Sequence, residues 1–150
     1  MKEFTDLTDF INIHEGRRCF IIGAGPSVAF QKMSVLSKDI IITVNSSILL
    51  VDWLSGECQD RYWISNDTLC MQWDYFWSHV LKAKCQKLVR TSWLEFESKF
   101  HKNGFRFFKP RKSQQIPLIN HGLSLCGVSS VPTAIDFALL TGCKLIYILG

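Results

Sequence analysis

Cys19-Phe20-Ile21-Ile22 is an unbroken apolar run that stops abruptly at Gly23-Ala24-Gly25-Pro26-Ser27. A strand with one wet face alternates apolar and polar residues. A run that is apolar at every position belongs to a strand covered on both faces, as in a parallel sheet packed between helices. The residues that follow complete the unit. Glycines permit a tight turn, and Pro26 suits the first position of a helix. Ala29, Met33 and Leu36, at spacings of four and three, would share the buried face of that helix.

The alternation continues down the chain. Asp39–Val44, rich in β-branched residues, reads as a second strand, and Ser46–Leu54 as a short helix. Arg61–Ser65 is a third strand, followed by an aromatic-rich helix over Leu69–Lys82. Lys87–Arg90 and Phe105–Phe108 are further strand candidates. Residues 109–126, with Pro110, Pro117 and Gly122, form a long polar connection of the kind that is often functional. Val131, Ala134, Ile135, Ala138 and Leu139 then recur at helical spacing, Gly142 sits where a C-cap glycine belongs, and Lys144–Leu149 is another buried strand. Strands alternating with helices place the chain in the α/β class, as a Rossmann-like three-layer sandwich with a mostly parallel sheet. Residues 1–17 are a leading helix and a turn at Glu15-Gly16, and residues 18–150 are the domain. The sequence stops at Leu149-Gly150, at the tip of a strand where a site-forming loop would begin. The domain is therefore expected to be truncated at its C-terminus, with a nucleotide half formed and an acceptor half missing.

Composition narrows the class further. The chain has 150 residues, 47% hydrophobic and 20% charged, which suits one folded domain rather than a disordered segment. No apolar run reaches the ~20 residues of a membrane span. Met1–Asp6 is polar and lacks a signal peptide's apolar centre, so a cytoplasmic location is expected. Six cysteines, at 19, 58, 70, 85, 126 and 143, include no Cys-x-x-Cys pair. Free thiols are expected, and no zinc site. Basic residues cluster at 82–84, 99–102 and 109–112 within a net charge of +4. They read as a solvated surface, or as a rim attracting an anionic substrate. No nucleic-acid-binding motif accompanies them, and no nucleic-acid partner is expected.

The chemistry is expected at the strand tips. Gly23, Ala24, Gly25, Pro26 and Ser27 let the backbone approach a ligand, and a helix N-terminus there offers N–H groups to a phosphate. A tight turn without ligand is the plainer alternative. The third glycine of the dinucleotide fingerprint is replaced by Val28, and the acidic position ~20 residues on by Asn45, which argues against an ordinary NAD enzyme. The Walker lysine pattern is absent. Asn45 and Ser46 end the second strand, and Asn66 and Asp67 end the third. If these strands are neighbours their polar tips converge, since open parallel sheets bind ligands beyond their carboxyl ends. Asn45 would read a ribose or base edge. Asp67 would hold Mg2+ or accept a proton, against the simpler roles of Asn cap and Asp turn residue. Gly127, Ser129 and Ser130 form a second binding turn, suited to an anion or sugar hydroxyl, or a plain capping sequence. His121, in the loop before it, is either solvated or a substrate contact.

Taken together, Ile21–Ser27, Val44-Asn45-Ser46, Ser65-Asn66-Asp67 and Gly127–Ser130, with Ala134, Ala138 and the Leu145–Gly150 strand, resemble the 6-hydroxymethylpterin diphosphokinase MptE-like family. That superfamily includes motility-associated and phage members. The layout is also similar to that of bacterial family-42 sialyltransferases, and the likeness covers residues 18–150. It implies a transferase using a nucleotide or nucleotide-sugar, either ATP with Mg2+ donating a diphosphate or a CMP-sugar donating its sugar. By position, Gly25, Pro26, Ser27 and Asn45 would contact the nucleotide, and Ser129-Ser130 would match the later binding turn. The pterin enzymes carry Asp-x-Asp after the third strand, where this chain has Asn66-Asp67-Thr68. The sialyltransferase histidine has no counterpart here. A non-catalytic ligand-binding module is the alternative.

Overall fold

A computed structural model describes residues 7–53, 60–100, 105–111 and 124–150. Seven strands form one sheet: β1 (Arg18–Ile22), β2 (Ile40–Val44), β3 (Arg61–Ser65), β4 (Gln86–Arg90), β5 (Phe105–Arg111), β6 (Ser124–Cys126) and β7 (Leu145–Leu149). Every neighbouring pair is parallel. The order is β6-β5-β4-β3-β2-β1-β7. Two α-helices accompany it, α1 (Asp74–Lys82) and α2 (Ser130–Leu140), together with short 3-10 segments. The chain is an α/β Rossmann-like sandwich.

The unbroken apolar runs explain the layers. Successive side chains of a strand point to opposite faces, so Cys19, Ile21, Ile40, Ile42, Val44, Tyr62 and Ile64 go one way. They pack against Ala134, Phe137 and Ala138 of α2. Ile22 and Ile41 go the other way, onto Val28, Met33 and Leu36. Trp63 and Val89 join them there, packed against Phe76, Trp77 and Val80 of α1 and against Trp93. The described parts of the connections from β1 to β5 thus lie on one face, and α2 carries the chain back to β7 across the other. Reversing direction while keeping right-handed crossovers requires that change of face.

Several elements differ from expectation for physical reasons. Pro26 does open a helix, but it is a 3-10 turn of five residues, Pro26–Phe30. An extended Gln31 separates it from a second turn at Met33–Leu36. Serine and valine, which occur here at 27, 28, 34 and 35, are weak helix formers. Val28 turns inward and Ala29 is exposed. The expected helix over 69–82 breaks at Trp73, whose backbone is extended, into a turn at Thr68–Gln72 and α1. The long connection is shorter than expected, because Lys109–Arg111 pairs with Ser124–Cys126 to extend β5 and create β6. Polar and proline-containing strands of this kind carry no apolar run to announce them. β7 forms where expected but is not buried. It is an edge strand with Leu145, Tyr147 and Ile148 exposed by 48%, 43% and 55%. The leading segment contains a 3-10 turn at Leu7–Phe10. Cys19, Cys70, Cys85, Cys126 and Cys143 are buried free thiols, and Cys58 lies outside the described residues. No helix among the described residues is long and apolar enough to cross a membrane.

Candidate functional site

The sheet order makes β1, β2 and β3 neighbours, so their polar tips do meet. Asn45 is at the centre. Its φ of 52° is left-handed, a conformation that costs most residues about 1–2 kcal/mol but that asparagine tolerates. Long-range partners hold it there. The Trp63 indole N–H donates to the Asn45 carbonyl at 2.8 Å. The hydroxyls of Ser65 and Ser130 donate to Asn45 Oδ1 at 3.1 and 2.9 Å. Ser130 Oγ in turn accepts the Asn66 backbone N–H at 3.1 Å, and Asn66 Nδ2 donates to Thr133 Oγ1 at 2.8 Å. The tips of β2 and β3 and the start of α2 are thereby one hydrogen-bonded unit. Ser129 is the N-cap of α2 but makes no capping bond through its side chain, whereas Ser130 bridges the strands.

The glycine loop leaves β1 beside this unit. Gly23 N donates to Leu149 O at 2.7 Å. A Cβ built on Gly25 would stand 2.7 Å from the carbonyl carbon of Gly150. The loop's small residues therefore permit close packing against the end of β7. Ser47, turned inward, ties β1 to β2 by donating to Ile22 O at 2.6 Å and accepting from Val44 N at 2.7 Å. A cleft of about 320 Å3 opens between the loop and the Asn45–Trp53 turn. Its walls include Gly23, Ala24, Gly25, Pro26, Ser46 and Leu49. Ser27 is exposed and does not line it. Gly127 is likewise a packing glycine, since a Cβ there would fall 2.5 Å from the Pro110 ring.

Asp67 is exposed at the tip of β3. Its Oδ1 accepts the Leu69 N–H at 2.9 Å and caps the turn that follows. Cys70 donates to the Asp67 carbonyl, and burial, with the Asp67 charge adding to it, pushes its pKa up to about 12. Cys70 is therefore a neutral thiol and no nucleophile at physiological pH. No group of three or more His, Cys, Asp or Glu that could hold a metal ion is gathered among the described residues. His121 lies outside the described residues.

Sequence reasoning singled out Ser130 but missed two further polar groups of α2, Thr133 and Asp136. Ser130, Thr133 and Asp136 are all buried in an otherwise apolar helix. Thr133 Oγ1 donates to Ser129 O and Cys126 O. Asp136 Oδ2 accepts from Cys126 N and from the Arg111 guanidinium, each at 2.7 Å. Burial raises the Asp136 pKa above the usual carboxylate value, opposed by those two donors. The signal was there in principle, as three polar residues at intervals of three within an apolar helical pattern. Compared with protein-family models, curated proteins and solved structures, the chain matches none of them.

Proposed function

We propose that this chain is a nucleotide- or nucleotide-sugar-binding transferase domain. One observation carries the reading. Residues 45, 65, 66 and 130, from separate parts of the sequence, join in one network at the carboxyl ends of adjacent parallel strands, beside a cleft walled by the glycine loop. That is where open α/β sheets bind ligands. With its oxygen engaged by two seryl hydroxyls, Asn45 would offer its amide N–H groups to an acceptor on the ligand. Asp67 would take a proton from an acceptor hydroxyl, or share a Mg2+ carried by the nucleotide's phosphates. With no acidic cluster beside it among the described residues, such an ion would be held chiefly by the ligand. The resemblance to MptE-like proteins and family-42 sialyltransferases points to the same class of reaction.

Melting curves with ATP, CMP, CTP and CMP-sugars test the reading. A ligand at a hundred times its Kd stabilises the folded state by about 2.7 kcal/mol. A rise with ATP alone favours diphosphate transfer, and a rise with cytidine nucleotides favours sugar transfer. No rise with any nucleotide or nucleotide-sugar overturns the reading. The capping bond from Asp67 to Leu69 N favours a second reading, a ligand-binding module without turnover. Asp67→Asn separates the two. In a transferase it lowers turnover far more than affinity. In a binding module it leaves affinity unchanged and stability nearly so, because asparagine caps about as well as aspartate.

A further inference from the structure

The cleft beside the glycine loop is uncharged. None of the described residues lining it is Lys, Arg, His, Asp or Glu. Val28 and Met33 make it apolar at depth, and Ala29 and Leu49 make it apolar at the exposed wall. Its polar groups are Gln31, two serine hydroxyls and the peptide groups of the loop. One of those hydroxyls, on Ser47, is already engaged by β1 and β2. The loop runs into a five-residue 3-10 turn, too short to sum a helix dipole. An anion placed here would lose its hydration with no cation to replace it, which is costly. A flat, uncharged ring with a few polar edge atoms would lose little, and the volume of about 320 Å3 suits one such group.

Resting on the nucleotide reading above, we propose that this cleft seats the uncharged nucleoside end of the ligand, base first, and that the phosphates lie outside it. Apolar side chains then face the ring, and loop peptide groups with Gln31 and Ser46 meet its polar edge.

Calorimetric titration of the full chain with the four ribonucleosides, their 5′-diphosphates and inorganic pyrophosphate tests this. One nucleoside should bind within about tenfold of its own diphosphate, or about 1.4 kcal/mol, and pyrophosphate should not displace it. Ala29→Phe and Leu49→Trp, both at exposed positions, should fill the cleft and weaken nucleoside and diphosphate alike by about tenfold or more, while melting curves remain cooperative. If diphosphates bind, nucleosides do not, and pyrophosphate competes, the cleft holds phosphate and the inference falls alone. Unchanged affinity in both filled variants also overturns it. If no nucleoside or nucleotide binds at all, the nucleotide reading falls and takes the inference with it.

Discussion

Gly127 shows how a residue read as a ligand contact can have a packing reason. It follows β6 and donates its N–H to Arg111 O at 3.2 Å, bringing its Cα against the Pro110 ring, which cannot swing aside. Gly127→Ala should therefore destabilise the fold without any ligand, by about 1–3 kcal/mol, the usual penalty of overpacking. Denaturant midpoints of the two proteins would show it. His14 makes a second case. Its ring lies buried with Nε2 2.7 Å from the Tyr62 hydroxyl, and burial lowers its pKa below the ordinary 6.5. The unfolded chain then takes up a proton before the folded one does. Stability should fall as pH drops below about 6.5 and level off once the depressed folded pKa is passed, with a slope of at most about 1.4 kcal/mol per pH unit from this group. Melting temperatures of parent and His14→Gln at pH 7.5 and 5.5 test it, the variant being expected to lose less on acidification.

Helix α2 is the element that ties the candidate site to the fold. Ala134, Phe137 and Ala138 anchor it on the sheet, while Ser130, Thr133 and Asp136 bond to strand ends. Asp136 joins the short β6 to β5 by binding Cys126 N and Arg111 together. Both partners of the ion pair are largely buried, at 14% and 6% side-chain exposure. Removing one partner of such a pair leaves the other uncompensated, which costs about 3–5 kcal/mol. Asp136→Leu should lose that much in urea denaturation. Asp136→Asn, which keeps an acceptor for the Cys126 N–H, should lose less.

At the scale of the molecule, one sheet serves three clusters. Tyr62 and Trp63, adjacent in β3, point into cores on opposite faces. Trp63 meets Trp93 edge-on at 6.1 Å between ring centroids, and both are fully buried. Because the strands are common to both faces, neither core can open without the other. Trp93→Ala should cost about 3–5 kcal/mol through the cavity it leaves. Fluorescence from the remaining tryptophans and far-ultraviolet circular dichroism should still lose signal at one shared denaturant midpoint. Two separated transitions would show that the faces unfold independently.

The sequence determined the strands that lie deep in the sheet. Arg61–Ser65 and the runs ending at Ile22 and Val44 were legible because burial on both faces demands apolar side chains at successive positions, whatever the neighbouring strand is. It also marked the polar tips at 45 and 66, because polar residues directly after such runs stand out, and the Gly-Ser entry to a helix at 127–130. Tertiary structure decided the rest. The sheet order that brings the tips together, the pairing of Pro110 with Leu125 that creates β6, and the exposure of β7 all depend on which strand lies alongside. The Asn45–Ser130 bond joins residues 85 positions apart, and no local pattern encodes a partner at that distance. Nor does the sequence around Asn45 announce its left-handed backbone. The Trp63, Ser65 and Ser130 donors, delivered by β3 and α2, hold Asn45 in its left-handed conformation at the centre of the candidate site.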